Sequence, residues 1–139
     1  HYNPLAPQRL IYWIAAEDLN GDGKAEYCAL SATNLGKMSA LGIDLEGNEL
    51  WSYDLPEGVH TQPIEPVTAG QLSADGPGVW ILAAADGSLH FLGADGSVLD
   101  RFNYGKELSG VATATIQGQA ALLVSTPEQL EAWKIQSAP

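Results

Sequence analysis

The 139-residue sequence predicts an all-β chain made of about three four-stranded antiparallel units. Three observations carry that expectation. Short apolar or alternating runs recur with Gly, Asn, Asp and Pro between them; almost no stretch holds the 3.6-residue apolar period of an amphipathic helix; and the order of the runs repeats every forty to fifty residues or so.

In chain order the expected strands are 10–16, 26–32, 39–44 and 49–55 in the first unit. They are 65–72, 78–84, 88–93 and 98–104 in the second, and 110–116, 120–125 and 129–135 in the third. The second strand of each unit is a continuous apolar run, as in Tyr27-Cys28-Ala29-Leu30, which suits an inner strand covered on both faces. The fourth is mixed, as in Trp51-Ser52-Tyr53-Asp54 and Asp100-Arg101-Phe102-Asn103, which suits an outer edge. Glu46-Gly47-Asn48 and Asp95-Gly96-Ser97 read as hairpin turns between third and fourth strands. Thr126-Pro127-Glu128 could cap one helical turn, but the parallel with the other units makes it a loop into a strand.

The repeat is read by superposing the runs. Asp22-Gly23 falls on Asp75-Gly76 at an offset of 53, and Leu45-Glu46-Gly47-Asn48 on Ala94-Asp95-Gly96-Ser97 at 49. Trp80-Ile81-Leu82 and Leu89 fall on Ala121-Leu122-Leu123 and Leu130 at 41. A four-stranded unit of this length, stacked on copies of itself, is a β-propeller blade. The whole of 1–139 is then one propeller segment with blade-like units near 10–55, 65–104 and 110–135. Three blades do not close a ring, since propellers need about four to eight. The third unit stops one strand short, and residues 1–8, with Pro4 and Pro7, are a poor source for the missing one. Either two chains pair to close the ring, or the chain is part of a larger propeller.

Composition narrows the function. Apolar residues make up 45% of the chain and charged residues 17%, a composition that folds, and the length suits one domain or a piece of one. Six basic against seventeen acidic residues leave a net charge of -11. That charge repels nucleic-acid phosphates and anionic membrane surfaces and admits cations, although surplus carboxylates also serve solubility alone. The single cysteine, Cys28, excludes a disulfide framework and a cysteine zinc cluster, and its apolar setting marks a buried structural thiol. No apolar run approaches the roughly twenty residues of a membrane-spanning helix. The chain opens on His1 without Met or a signal-peptide pattern, so a processing or cloning boundary is expected there.

One motif carries chemistry. In Asp18-Leu19-Asn20-Gly21-Asp22-Gly23-Lys24-Ala25-Glu26, oxygen-bearing side chains stand at loop positions one, three and five. Gly23 supplies a sharp turn, the Lys24 carbonyl stands at position seven and the Glu26 carboxylate at nine. A hard divalent cation such as Ca2+ takes six to eight oxygens, so a short loop must turn alternate side chains inward. Asp, Asn and Gly are also ordinary turn residues, which is the plainer reading of the same cluster. Position twelve is Ala29 where an EF-hand has its bidentate Glu. In the second unit Gln71, Ser73, Asp75 and Val79 hold the equivalent places with one carboxylate, and the third has only Ile116-Gln117-Gly118-Gln119. Neither is expected to bind metal.

Asp18, Asn20, Asp22 and Glu26 resemble the calcium loop of FG-GAP/VCBS-like repeats, the blades of integrin alpha chains and many secreted bacterial proteins. The match has Asn for Asp at the second ligand and Glu for Asp at the last. It implies calcium held by Asp18, Asn20, Asp22, Lys24 and Glu26 between the first two strands of a blade. A second stretch, Gly42-Ile43-Asp44-Leu45-Glu46-Gly47-Asn48-Glu49-Leu50-Trp51, is similar to the repeat of quinoprotein-type propellers, where the tryptophan docks neighbouring blades. With a single match it implies kinship of fold, with Trp51 as core or blade-to-blade packing, and no quinone.

His60 and His90 read as satisfied structural histidines, and no nucleophile elbow, His-Glu-x-x-His or phosphate loop is present. The expected function is a non-catalytic, calcium-stabilised binding or scaffolding module outside the cytoplasm, where calcium is millimolar. Its expected partners are other propeller blades and a protein or carbohydrate ligand, met by loops at 56–66 and 103–109, with a homodimer as one way of closing the ring. The alternative is a segment of a propeller enzyme, quinoprotein-like oxidoreductase or hydrolase, whose catalytic groups lie in blades outside this chain.

Overall fold

The structure, a computed structural model, describes residues 9–33, 35–73 and 75–135. Eleven strands follow one another with no helix among the described residues. Sheet 1 holds β1 (Arg9–Glu17), β2 (Glu26–Thr33), β3 (Met38–Ile43) and β4 (Glu49–Leu55). Sheet 2 holds β5 (Val67–Gln71), β6 (Gly78–Ala83), β7 (Ser88–Leu92) and β8 (Val98–Asn103). Sheet 3 holds β9 (Gly110–Ile116), β10 (Gln119–Ser125) and β11 (Leu130–Lys134). Each is an antiparallel meander in chain order, and every expected strand is present with its ends moved by two residues at most. Sheet 3 has three strands, as the sequence anticipates. Residues 1–8, weighed above as a closing strand, lie outside the described residues.

Periodicity and burial agree strand by strand. The continuous apolar runs β2, β6 and β10 sit inside their sheets, with Cys28, Trp80 and Val124 wholly buried. The mixed strands β4 and β8 form the outer edges of sheets 1 and 2, and every residue of β8 is exposed. The third strands are more buried than their sequences suggest, and β7 is buried along its whole length.

One turn is used four times. In Thr33–Lys37, Asp44–Asn48, Ala84–Ser88 and Gly93–Ser97 the first residue donates its N–H to the carbonyl of the fifth. The fourth residue donates back to the first. That fourth residue is always glycine (Gly36, Gly47, Gly87, Gly96), with φ between 78° and 85°. The position needs a left-handed backbone that a Cβ would strain, so it is the reason the glycines recur. A bulge also recurs just before the two outer turns, between Gly42 and Ile43 and between Phe91 and Leu92.

The sheets pack face against face in the order 1, 2, 3, with β5 lying beside both β1 and β9. Sheet 2 is therefore apolar on both faces. Trp80, Leu82 and Leu92 meet Leu19, Cys28, Leu30 and Ala40 of the sheet 1 unit at the first junction. On the other face Val79, Ile81 and Phe91 meet Leu122 and Val124 at the second.

These packings correct one expected correspondence. The sequence alignment sets Trp80 and Leu82 on Ala121 and Leu123, yet it is Leu122 and Val124 that turn toward the preceding sheet as Trp80 and Leu82 do. The offset on this strand is 42. The turn after it is one residue shorter, Thr126 N–H bonding the Gln129 carbonyl where Ala84 bonds Ser88, so β11 returns to the expected 41. Because side chains alternate across a strand, a slip of one residue exchanges the two faces.

Candidate functional site

The acidic loop leaves β1 at Glu17 and enters β2 at Glu26. Its centre is the Asp18 carboxylate. Oδ1 accepts the N–H groups of Gly21 (2.7 Å) and Asp22 (3.1 Å), and Oδ2 accepts that of Gly23 (2.8 Å). Gly21 and Gly23, with φ of 75° and 83°, let the chain curl around this carboxylate. Asn20 Oδ1 accepts Asp22 N–H and Asp22 Oδ1 accepts Lys24 N–H. Glu26 closes the loop, Oε2 accepting Leu19 N–H (2.8 Å) and Oε1 the Asn20 amide (2.9 Å). Leu19 points the other way, into the first junction, and its carbonyl accepts Gly78 N–H from sheet 2.

The donors of Asp18, Asn20, Asp22, Lys24 and Glu26 fit a hard cation in kind, since all are oxygens and a carboxylate oxygen bonded to one N–H keeps a further lone pair. Each Glu26 oxygen already accepts one bond, from Leu19 N–H and the Asn20 amide, and among the described residues no three His, Cys, Asp or Glu side chains converge as a metal-holding group. The counterpart loops are poorer still. Around Ser73 and Asp75 the turn closes by a Gly76 N–H to Ser73 carbonyl bond of 3.4 Å. The third connection is a two-residue turn, Gln117-Gly118, both at positive φ.

Trp51 does dock one sheet on the next. Its indole lies against Gly42 beneath it and Gly96 of sheet 2, positions where a Cβ would collide with the ring. Its Nε1 donates to the Ala94 carbonyl at 2.9 Å. Beside it a polar chain crosses the junction. His90, 1% exposed, meets the Tyr53 hydroxyl through Nδ1 (2.8 Å) and the Ser88 hydroxyl through Nε2 (2.7 Å), and Ser88 donates to Asp86 (2.5 Å). Burial pushes His90 below the ordinary imidazole value, with Arg101 in the same sense and Asp86 opposing. His90 is thus satisfied, as expected. His60 is not: among the described residues its buried Nδ1 has no hydrogen-bond partner, nor has Nε1 of Trp80.

The loops expected to meet a partner are tied together. The Glu107 carboxylate accepts Thr61 N–H and Oγ1 and Gln62 N–H, and the Thr61 bonds hold it below the usual carboxylate range. Cys28 is buried as anticipated, and burial pushes its thiol to about 12, far from the range of a nucleophile.

Sequence reading missed the Tyr53–His90–Ser88–Asp86 chain and the Glu107 tie. Ser88 and His90 on alternate positions of an otherwise apolar strand were the available signal for the first; nothing local marks the second. No known protein-family model matches the chain, and no curated protein is significantly similar to it. None of the helices that would cross a membrane is present among the described residues.

Proposed function

We propose that the chain is a segment of a β-propeller, akin to FG-GAP/VCBS-like repeats, that serves as a non-catalytic binding or scaffolding module outside the cytoplasm. The repetition of one sheet-and-turn unit, packed face to face with the first strands side by side, is what supports the reading. The docking of Trp51 across the first junction agrees with it.

Calcium belongs to the same proposal. Asp18, Asn20, Asp22, the Lys24 carbonyl and Glu26 would hold it, and the ion would neutralise carboxylates crowded at the corner between β1 and β2. Its role would be to stabilise the fold. The tied loops around Thr61 and Glu107 offer a preformed rim for a protein or carbohydrate ligand, and the open ends of the stack offer places for further blades, from this chain's continuation or a second copy.

Thermal unfolding and solution mass, each with calcium and with chelator, test this together. Calcium at a hundred times its Kd should stabilise the chain by about 2.7 kcal/mol. Asp18→Asn should abolish that gain and Asp75→Asn should leave it intact. Equal melting with calcium and chelator would remove the ion from the reading. A mass of twice 14.7 kDa favours closure by a second copy. Turnover of a redox or hydrolytic substrate by the isolated chain would overturn the non-catalytic assignment.

A further inference from the structure

The two junctions are built at equivalent positions but packed with different side chains. At the second junction a cavity of about 170 Å3 opens between sheets 2 and 3. Its walls stand where the Trp51 site stands at the first. Asp100 takes the place of Trp51 and Phe102 that of Tyr53; Phe91 replaces Gly42 as the floor. Leu122 takes the place of Trp80, and Ile135 that of Ala94, whose carbonyl receives the Trp51 indole. A carboxylate and an isobutyl group thus stand where two indoles do at the first junction, while Phe91, Trp133 and Ile135 stand where Gly42, Leu92 and Ala94 do, and the gap lies between these redistributed side chains.

We infer that this cavity is a binding site for a compact aromatic molecule of indole size carrying an N–H donor. The size agrees, because an apolar cavity of about 150 Å3 accepts benzene. Leu72, Leu89, Phe91 and Leu122 supply apolar walls, and Phe102 and Trp133, ring centroids 4.8 Å apart, supply aromatic edges. Asp100 and Lys134, the two charged lining residues, are both exposed and mark the side open to solvent. An incoming N–H would find the Asp100 carboxylate, as the Trp51 N–H finds the Ala94 carbonyl. The apolar walls, the aromatic edges and the carboxylate at the mouth together define the ligand.

The test is a titration of the chain with indole, followed through leucine methyl resonances. Indole is expected to shift the methyls of Leu72, Leu89 and Leu122 saturably and to leave Leu30 at the first junction unmoved. Asp100→Trp, which installs the residue of the other junction, should abolish the shifts and raise Tm by several degrees. Leu122→Trp fills the same space from the β10 side, so loss of the shifts in this variant carries the test if Asp100→Trp fails to fold. Asp100→Asn keeps the volume and should weaken indole while leaving benzene, which has no donor, unchanged. Absence of saturable shifts at the three methyls, or shifts that persist in a folded filled variant, overturns the assignment.

Discussion

The first junction is closed by large side chains and a polar chain; the second, made at the same positions of the next repeat, is closed by an aromatic cluster with a gap behind it. Trp51 and Trp80 at the first become Asp100 and Leu122 at the second. The Tyr53–His90 hydrogen bond at the first is matched by Phe102 against Trp133 at the second, with Tyr104 5.6 Å beyond. Trp133 then finds its own acceptor, Glu131, in His90's equivalent place. The contrast teaches that the backbone repeat, set by turns and bulges, tolerates different solutions to filling the space between sheets. Packing density is required somewhere at each junction, but not from the same residue.

The comparison breaks most severely at Trp51. Trp51→Ala removes an indole from between Gly42 and Gly96 and leaves the Ala94 carbonyl without its donor, and should cost about 3 kcal/mol in chemical denaturation. Asp100→Ala, the same truncation at the second junction, should change stability by less than about 0.5 kcal/mol. Similar losses from the two would mean that the junctions are not unequal in the way described.

A smaller effect is expected at Tyr53. Tyr53→Phe copies Phe102 and strands a buried nitrogen of His90, costing about 1–2 kcal/mol, whereas Phe102→Tyr, half in solvent, should be nearly neutral.

The smallest effect is a pH dependence confined to the first junction. His90 is held below its unfolded value of 6.5, so on acidification the unfolded chain takes up a proton that the folded chain refuses. Stability should fall as pH drops from about 6.5, and His90→Gln should flatten that slope. Carboxylates held low by loop hydrogen bonds, Glu107 among them, act in the same direction only as pH falls toward and below their ordinary value of 4.5, which separates the two contributions. A slope unchanged in His90→Gln would place the titrating group elsewhere.

Much of the architecture was legible because it is local. Alternating and continuous apolar runs name the strands, and Gly36, Gly47, Gly87 and Gly96 mark turns since few other residues take their backbone angles. The candidate loop was legible for the same reason: Asp18 to Glu26 is one contiguous stretch, and its carboxylates organise their own neighbours. What alignment alone got wrong was the register of β10, where a turn shorter by one residue shifts the correspondence and only the buried face reveals it. His60 was likewise misjudged, because a satisfied ring depends on partners that sequence does not bring near.

By itself, then, the sequence determined strand order, the turns, the inner and outer places within each sheet, and the position of the acidic loop between β1 and β2, all of which follow from side-chain period and backbone freedom over a few residues. The tertiary structure alone decided which sheets meet, that Trp51 reaches Ala94 across 43 positions of chain, that Tyr53 and His90 are hydrogen-bonded, and that a cavity open to solvent on one side lies at the second junction. Those outcomes depend on distances between segments far apart in the chain and on the sum of volumes packed between them, and no run of adjacent residues records either.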